Sequence, residues 1–255
     1  MEFKVVIPAR YASVRLPGKP LLKLAGKPMI EHVHARALES GASEVVIATD
    51  DGRIADAAAG FGAEVCMTRE NHRSGSDRIA EVVEKMAWGK HDIVVNLQGD
   101  EPTMPAVLIN QVASDMAAHE AAGVTTLCAP IQDKELLFDP HVVKVVTDSN
   151  GYALYFSRAP IPWHRDEFLD REKPLPTGTG FFRHIGLYAY RAGYLRQFVE
   201  WEHAPIEQAE SLEQLRVLWH GGRIHVSQAL VEPGHGVDTH DDLKRVEAQL
   251  SAQEG

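Results

Sequence analysis

The sequence predicts an α/β protein, a mixed and mostly parallel sheet flanked by helices, and three observations carry that expectation. Short β-branched runs alternate with helix-length segments through the first 120 residues. An Asn150-Gly151 hairpin signal between two β-rich runs interrupts the alternation, and strand and helix patterns resume after His184. At 255 residues, one α/β domain with an insertion and two separate domains are both compatible with the length.

The elements follow in order. Lys4 to Pro8 reads as a strand, and after a loop Met29 to Ser40 reads as a helix stopped by Gly41. Glu44 to Thr49 is the next strand, Asp50-Asp51 opens a helix that ends near Gly60, and Ala63 to Met67 is a third strand. From about Ser76 to Met86, the spacing of Ile79, Val82, Val83 and Met86 marks a helix. Asp92 to Leu97 is a strand and Pro105 to Glu120 a helix, and this cadence gives βαβ units on parallel strands. After Pro130, Val142 to Thr147 and Tyr152 to Phe156 flank Asn150-Gly151 and read as an antiparallel hairpin. Residues 160–180, rich in Pro, Gly and charge, read as an exposed loop or a partner-contacting insertion. His184 to Tyr190 is a strand, Ser211 to Trp219 a helix, Ile224 to Ala229 a strand, and a last helix starts near Asp241.

Composition narrows the function. No apolar run reaches the roughly 18 residues of a membrane span, and the first residues lack a signal-peptide layout, so a cytoplasmic protein without a membrane partner is expected. A net charge of −10 disfavours nucleic acid as a partner. Yet residues 1–36 carry +5, with seven cations against two acids, which leaves −15 on the remainder. A basic segment in an acidic protein points to a small, highly charged anion. Cys66 and Cys128 sit among apolar residues and read as buried reduced thiols. The 13 histidines show no zinc spacing: His32 and His34, two apart on a helix, do not share a face.

Ligands of open α/β sheets bind beyond the carboxyl ends of the strands, and four loops there carry chemistry. In Pro8 to Pro20, small residues admit backbone N–H groups to an anion while Arg10, Arg15 and Lys19 bring three cations. It is neither a Walker loop nor a dinucleotide fingerprint. Ser74-Gly75-Ser76-Asp77-Arg78 caps a helix whose N-terminus and Arg78 are suited to phosphate. In Asn96 to Pro102, Asp100 is a strand-end carboxylate suited to Mg²⁺, whereas Glu101 reads as turn chemistry. In Pro233 to Thr239, Asp238 is either a helix N-cap or a second carboxylate for the same ion. His184 by itself reads as a core or strand-end histidine.

With these residues in hand, the sequence resembles the 3-deoxy-manno-octulosonate cytidylyltransferases, or CMP-Kdo synthetases, from about Val5 to Val246. The carriers are Ile7 to Tyr11, Arg15 to Pro20, Gln98 to Pro102, Tyr152 to Arg158, Arg183 to Gly186, Leu212 to Arg216 and Gly236 to Thr239. The resemblance implies a nucleotidyltransferase-type sheet in one domain over 1–255, with a β-rich insertion at 140–190 that forms a homodimer contact. It implies CTP and Kdo as substrates, Mg²⁺ as cofactor, and CMP-Kdo for lipopolysaccharide assembly with pyrophosphate as products. Carried over by position, Ala9, Arg10, Arg15, Lys19, Gly75 and Arg78 bind CTP, and Asp100 and Asp238 hold the metal. Gln98, Arg158, Arg165, His184, Tyr188, Glu213 and Gln214 form the sugar pocket, with the two arginines on the sugar carboxylate. Lys19, Arg10, Arg15 and Asp100 are the expected catalytic residues. His235 stands at a variable position, and Asp166 to Thr179 matches no family motif.

The resemblance implies in-line attack of the sugar's anomeric hydroxyl on the α-phosphorus of CTP, with charge neutralised by the cations and the metal. No residue stands out as a general base. The alternatives are a cytidylyltransferase for another acidic sugar, such as a sialic acid or amino-Kdo, and a non-catalytic nucleotide-binding regulator.

Overall fold

The computed structural model describes residues 1–12, 16–169 and 174–253. The first half runs β1 (Lys4–Ala9), a 3-10 turn (Lys19–Leu21), the small hairpin β2 (Lys23–Leu24) and β3 (Lys27–Pro28), then α1 (Met29–Glu39). It continues with β4 (Glu44–Thr49), α2 (Gly52–Gly60), β5 (Glu64–Met67), α3 (Gly75–Lys85), β6 (Ile93–Asn96) and α4 (Ala106–Ala118). The second half holds β7 (Val124–Pro130), α5 (Lys134–Phe138), β8 (Lys144–Thr147), β9 (Ala153–Ser157), β10 (Phe182–Arg191) and α6 (Ala192–Glu200). α7 (Pro205–Glu210), α8 (Leu215–Trp219), β11 (Ile224–Gln228) and α9 (His240–Gln253) complete it.

The main sheet runs β11-β7-β10-β6-β1-β4-β5. Strands β6, β1, β4 and β5 are parallel, β10 is antiparallel to both β6 and β7, and β11 lies parallel to β7. The β8–β9 hairpin joins through β8 on β10. Alternation along β1 explains the layers. Val5 and Ile7 face the residues of α1, α2 and α4, while Val6 faces α3, α6 and α8, and all three are fully buried. Both faces are therefore covered, each such side chain contributing about 1.5–3 kcal/mol.

Two sequence expectations change. Val124–Pro130, opened by Gly123, is a buried strand that the pattern reading passes over, and it carries both β10 and β11. The expected helix from Ser211 to Trp219 is shorter: Ser211 takes a left-handed conformation (φ 51°) that ends a preceding helix, α7, and α8 starts only at Leu215. Glu213 and Gln214 consequently lie in the turn between two short helices.

Chain order places the site. From β1 the chain moves outward to β4 and β5, then returns to place β6 on the other side of β1. The loops after β1 and β6 therefore diverge from neighbouring strands and open a crevice at their carboxyl ends. Gly99 is required there, because a Cβ on it would stand 2.8 Å from the Pro8 carbonyl oxygen.

Candidate active site

The crevice is a cleft of about 280 Å³ lined by Ala9 and Arg10 after β1, Lys19, Gly75 at the start of α3, Gln98 and Asp100 after β6, and Asp238. Lys19 is its hub. Its ammonium donates to Asp100 Oδ2 at 2.7 Å, to the Val237 carbonyl at 2.7 Å and to Asp238 Oδ1 at 3.1 Å. Two carboxylates 138 positions apart in the chain thus meet over one cation, at the end of the strand where the basic loop begins.

Local contacts explain how Asp238 arrives. Thr239 and Asp242 form the reciprocal N-terminal cap of α9: Asp242 N donates to Thr239 Oγ1 (3.2 Å) and Thr239 N to Asp242 Oδ2 (2.9 Å). Capping falls to Thr239, and the Asp238 side chain reaches Lys19 instead. Val237 is fully buried with Leu16, Leu24, Met29 and Val246, which packs the Lys19 turn against α9. Glu101, beside Asp100, is pushed up to about 8 by burial and by the charges of Asp100 and Asp238, so it carries a proton at neutral pH.

The cations of the basic loop take different places. Arg10 lines the cleft and donates through Nη2 to the backbone carbonyls of His72 and Ser74 (3.2 Å for the latter), with its pKa lowered by burial and by Arg78. Arg15 lies outside the described residues. Arg78 does not line the cleft: it is fully buried, bonded to Thr68 Oγ1 and, at 2.7 Å, to Asp50 Oδ2. Thr68 and Asp50, which follow β5 and β4, hold its guanidinium outside the cleft wall. Ser74 and Asp77 form the capping box of α3, the structural role that the motif suggested.

Behind Gln98 lies a polar chamber on the α3 face of the sheet. Gln98 Nε2 donates to Asn96 Oδ1 at 2.9 Å. Ser76 Oγ donates to Glu213 Oε2 at 3.0 Å, and the buried Glu213 Oε1 has no hydrogen-bond partner, with Arg216 Nη2 at 3.7 Å. Burial raises the Glu213 pKa. Gln214 is buried at the N-terminal cap of α8.

His184 and Tyr188 reach this chamber because β10 bulges. Ile185 pairs with Leu127 but Tyr188 with Thr126, so Gly186 and Leu187 are extruded and the two rings come to 5.3 Å across an open Gly186. Thr126 Oγ1 donates toward the Leu187 carbonyl (2.8 Å), leaving a lone pair that accepts from His184 Nε2 at 2.9 Å. His184 Nδ1 is then an acceptor, and burial, which pushes this imidazole down to about 3, keeps it so. Arg158 and Arg165 are elsewhere. Arg158 donates to the Glu210 carbonyl (2.7 Å) and the Pro140 carbonyl (2.9 Å), and the Arg165 side chain is 94% exposed.

Sequence reasoning missed Asn96 and Ser76. The signal was present for Asn96, an amide ending the apolar run Ile93-Val94-Val95 and 3% exposed in the fold. A wider pocket of about 470 Å³ shares the 69–77 segment, with Arg69, Arg73, Trp201 and Arg216 in its wall, but neither strand-end carboxylate.

Residues 4–224 match the sequence profile of the cytidylyltransferase family. The chain belongs to that family. It is 57% identical over 246 residues to a 3-deoxy-manno-octulosonate cytidylyltransferase of Idiomarina loihiensis, covering 96% of this chain and 97% of the relative. A protein of the same name from Hahella chejuensis is 56% identical over 98% of both chains. Among solved structures, a CMP:2-keto-3-deoxy-manno-octonic acid synthetase complexed with CTP is similar at 43% identity and a TM-score of 0.88, covering 100% of this chain and 99% of that one. For this family member, the strand-end cleft and the chamber behind it are the candidate donor and acceptor subsites.

Proposed function

We propose that this cytidylyltransferase transfers CMP from CTP to the anomeric hydroxyl of Kdo and releases pyrophosphate. The carrying observation is the meeting of Asp100 and Asp238 on Lys19, at a cleft that Arg10 and Gln98 also line. Relatives that share more than half their residues over nearly the full chain, and bear the name of this activity, support Kdo as the acceptor over other acidic sugars.

The donor set suits Mg²⁺. Among the described residues no group of three or more His, Cys, Asp and Glu side chains is arranged to hold a metal unaided. Two carboxylates completed by phosphate oxygens and water are what Mg²⁺ takes in nucleotide sites. Asp100 and Asp238 would hold it, and when bound it supplies charge neutralisation of the phosphates.

The chain's own groups do the rest. Lys19 and Arg10 offset the negative charge that grows as the α-phosphorus changes partners, and with Mg²⁺ on Asp100 and Asp238 the Lys19 ammonium would be available to phosphate. Gly75 leaves space for the nucleotide beside β1. In the chamber, Glu213 Oε1 and His184 Nδ1 offer acceptors to sugar hydroxyls, and Gln98 stands between the two subsites. His184, neutral and bonded to Thr126, serves as an acceptor and not as the base.

Exposed Leu154 and Trp163 in the 140–190 stretch support a homodimer contact there, checked by light scattering on Leu154→Glu. No helix among the described residues is long and apolar enough to cross a membrane.

The test is Mg²⁺-dependent pyrophosphate release with a panel of sugar acids and nucleotides. CTP with Kdo is expected to give the highest kcat/KM, and Asp100→Asn to keep the melting temperature while losing most turnover. A higher kcat/KM with a sialic acid or amino-Kdo would replace the acceptor, and near-normal turnover of Asp100→Asn at saturating Mg²⁺ would remove the metal role.

A further inference from the structure

The polar chamber has two walls from distant parts of the chain: His184 and Tyr188 on β10, and Glu213 and Gln214 in the turn between α7 and α8. The second wall is a stiff unit. Arg216 donates to Glu207 through Nε (2.9 Å) and Nη2 (2.6 Å), which locks the two short helices to each other, and Leu212 and Leu215 are buried. Glu213 is bonded to Ser76 Oγ at 3.0 Å and faces Arg216 at 3.7 Å.

Strand β9 reaches both walls. Phe156, fully buried, sets its ring edge-on to the His184 ring with centroids 5.0 Å apart, and β8 pairs with β10 on one edge and with β9 on the other. The next two residues of the chain meet Glu210, the last residue of α7. Glu210 Oε1 accepts from Ser157 Oγ at 2.6 Å, Oε2 accepts from Arg158 N at 2.9 Å, and the Glu210 carbonyl accepts from Arg158 Nε at 2.7 Å. Lys144, fully buried on β8, donates to the Arg158 carbonyl at 2.6 Å and so ties this end of β9 back to its hairpin.

Bonds to a carboxylate are of the stronger class, and Ser157 is only 3% exposed, so losing its acceptor leaves a buried hydroxyl without a partner. Beyond Glu210 the left-handed Ser211 turns the chain, and Glu213 follows two residues later. A shift of Glu210 is therefore passed to Glu213 and Gln214 with little chain in between.

We propose that Glu210 is a positioning residue of the acceptor pocket: it fixes the end of β9 to the α7–α8 turn and so sets the span between Glu213 and Gln214 on one wall and His184 on the other. Both of its carboxylate oxygens are taken up by the hairpin, so it acts through the turn and not on the sugar. The proposal rests on the assignment of the chamber to the sugar acid. The response of the parent enzyme to the panel of sugar acids tests that assignment, and the variants test the coupling.

Glu210→Ala is expected to raise KM for the sugar acid that the parent uses best by about three- to tenfold, with KM for CTP unchanged. Glu210→Gln is expected to recover most of the loss, since its Oε1 accepts from Arg158 N while its Nε2 donates to Ser157 Oγ. Ser157→Ala, which removes one bond and leaves α7 intact, is expected to give a smaller rise in the same KM and to add nothing to Glu210→Ala. Equal increases in both KM values, an unchanged KM for the sugar acid, no recovery in Glu210→Gln, or additive losses in the double variant would overturn the proposal. Amide hydrogen exchange reads the same placement without substrate. Exchange at Leu212 and Leu215, whose amides bond the Glu207 and Leu212 carbonyls on either side of the turn, is expected to quicken in Glu210→Ala and to slow again in Glu210→Gln, with β1 unchanged. Parent-like exchange at both positions in Glu210→Ala would also overturn it, whatever sugar the enzyme uses.

Discussion

At the scale of single residues, burial sets protonation and bonding geometry sets direction. His184 is the clearest instance. Its imidazole is displaced downward to about 3 by burial, so between that value and an unfolded 6.5 only the unfolded chain takes up the proton. The contribution of the neutral ring to stability is present above about pH 6.5 and is lost as pH falls toward 3. A side-chain NMR titration is expected to find His184 neutral at pH 5 and above, with Nε2 carrying the proton; protonation near 6.5 would return it to the general-base candidates. Glu81 shows the opposite balance. Burial raises its pKa, but hydrogen bonds from Lys85, from Arg69 backbone and side chain, and from His72 outweigh burial and hold it at about 2. Its stabilisation is present above the ordinary value of 4.5 and fades as pH drops toward 2. Glu81→Gln is expected to cost on the order of 1–3 kcal/mol near neutral pH and to converge with the parent at low pH, read as melting temperature against pH. A pH-independent difference would mean that packing, not charge, is lost. The carbonyl of His72 receives Arg10, so the same variant should also raise KM for CTP.

At the scale of elements, the site depends on one loop docking onto another. Gly234 has no room for a side chain, since a Cβ would meet the Thr103 backbone oxygen at 2.3 Å. Thr103 Oγ1 then accepts from His235 N at 3.0 Å and donates to the His235 carbonyl at 3.1 Å, while Val237 N donates to the Asp100 carbonyl at 2.9 Å. These bonds hold the loop that carries Asp238 against the loop that carries Asp100. Thr103→Val keeps the shape and removes both side-chain bonds. It is expected to raise the Mg²⁺ concentration for half-maximal activity several-fold, and Thr103→Ser to restore it; a Mg²⁺ response like the parent's in Thr103→Val would detach this clamp from the carboxylates. The His235 position, for which the family pattern offers no role, contributes through its backbone.

At the scale of the whole molecule, the sheet order separates a conserving frame from an adjustable rim. β1, β6 and β10 are paired on both edges and covered on both faces, whereas β9 pairs only with β8 and the β2–β3 hairpin stands apart from the main sheet. Amide hydrogen exchange is expected to be slowest in β1, β6 and β10 and fastest, among strands, in β2, β3 and β9. Comparable protection in β9 would indicate that its free edge is covered in solution, as a homodimer contact there requires. Charge also separates at this scale: the chain as a whole carries a net −10, while Lys19 and Arg10 turn inward at the strand ends.

What the sequence determined by itself was the βαβ frame of the first half, the hairpin, and the loops that bear chemistry. Those follow from local periodicity, turn residues and strand-end position, which are properties of neighbours in the chain. Asp100, Lys19, Gln98 and Asp238 were legible for that reason, each lying in a loop beyond a strand. The tertiary structure alone decided which of them meet. Bonds to Asp50 and Thr68 hold Arg78 outside the cleft wall, a two-residue bulge in β10 brought His184 to Tyr188, and the left-handed Ser211 left Glu213 in a turn rather than on a helix. Arg158 went to backbone carbonyls, because its strand end faces the turn at Glu210. Ser76 bonds Glu213 across 137 positions, and no spacing in a linear sequence records a contact that exists only once α3 and the turn before α8 are packed.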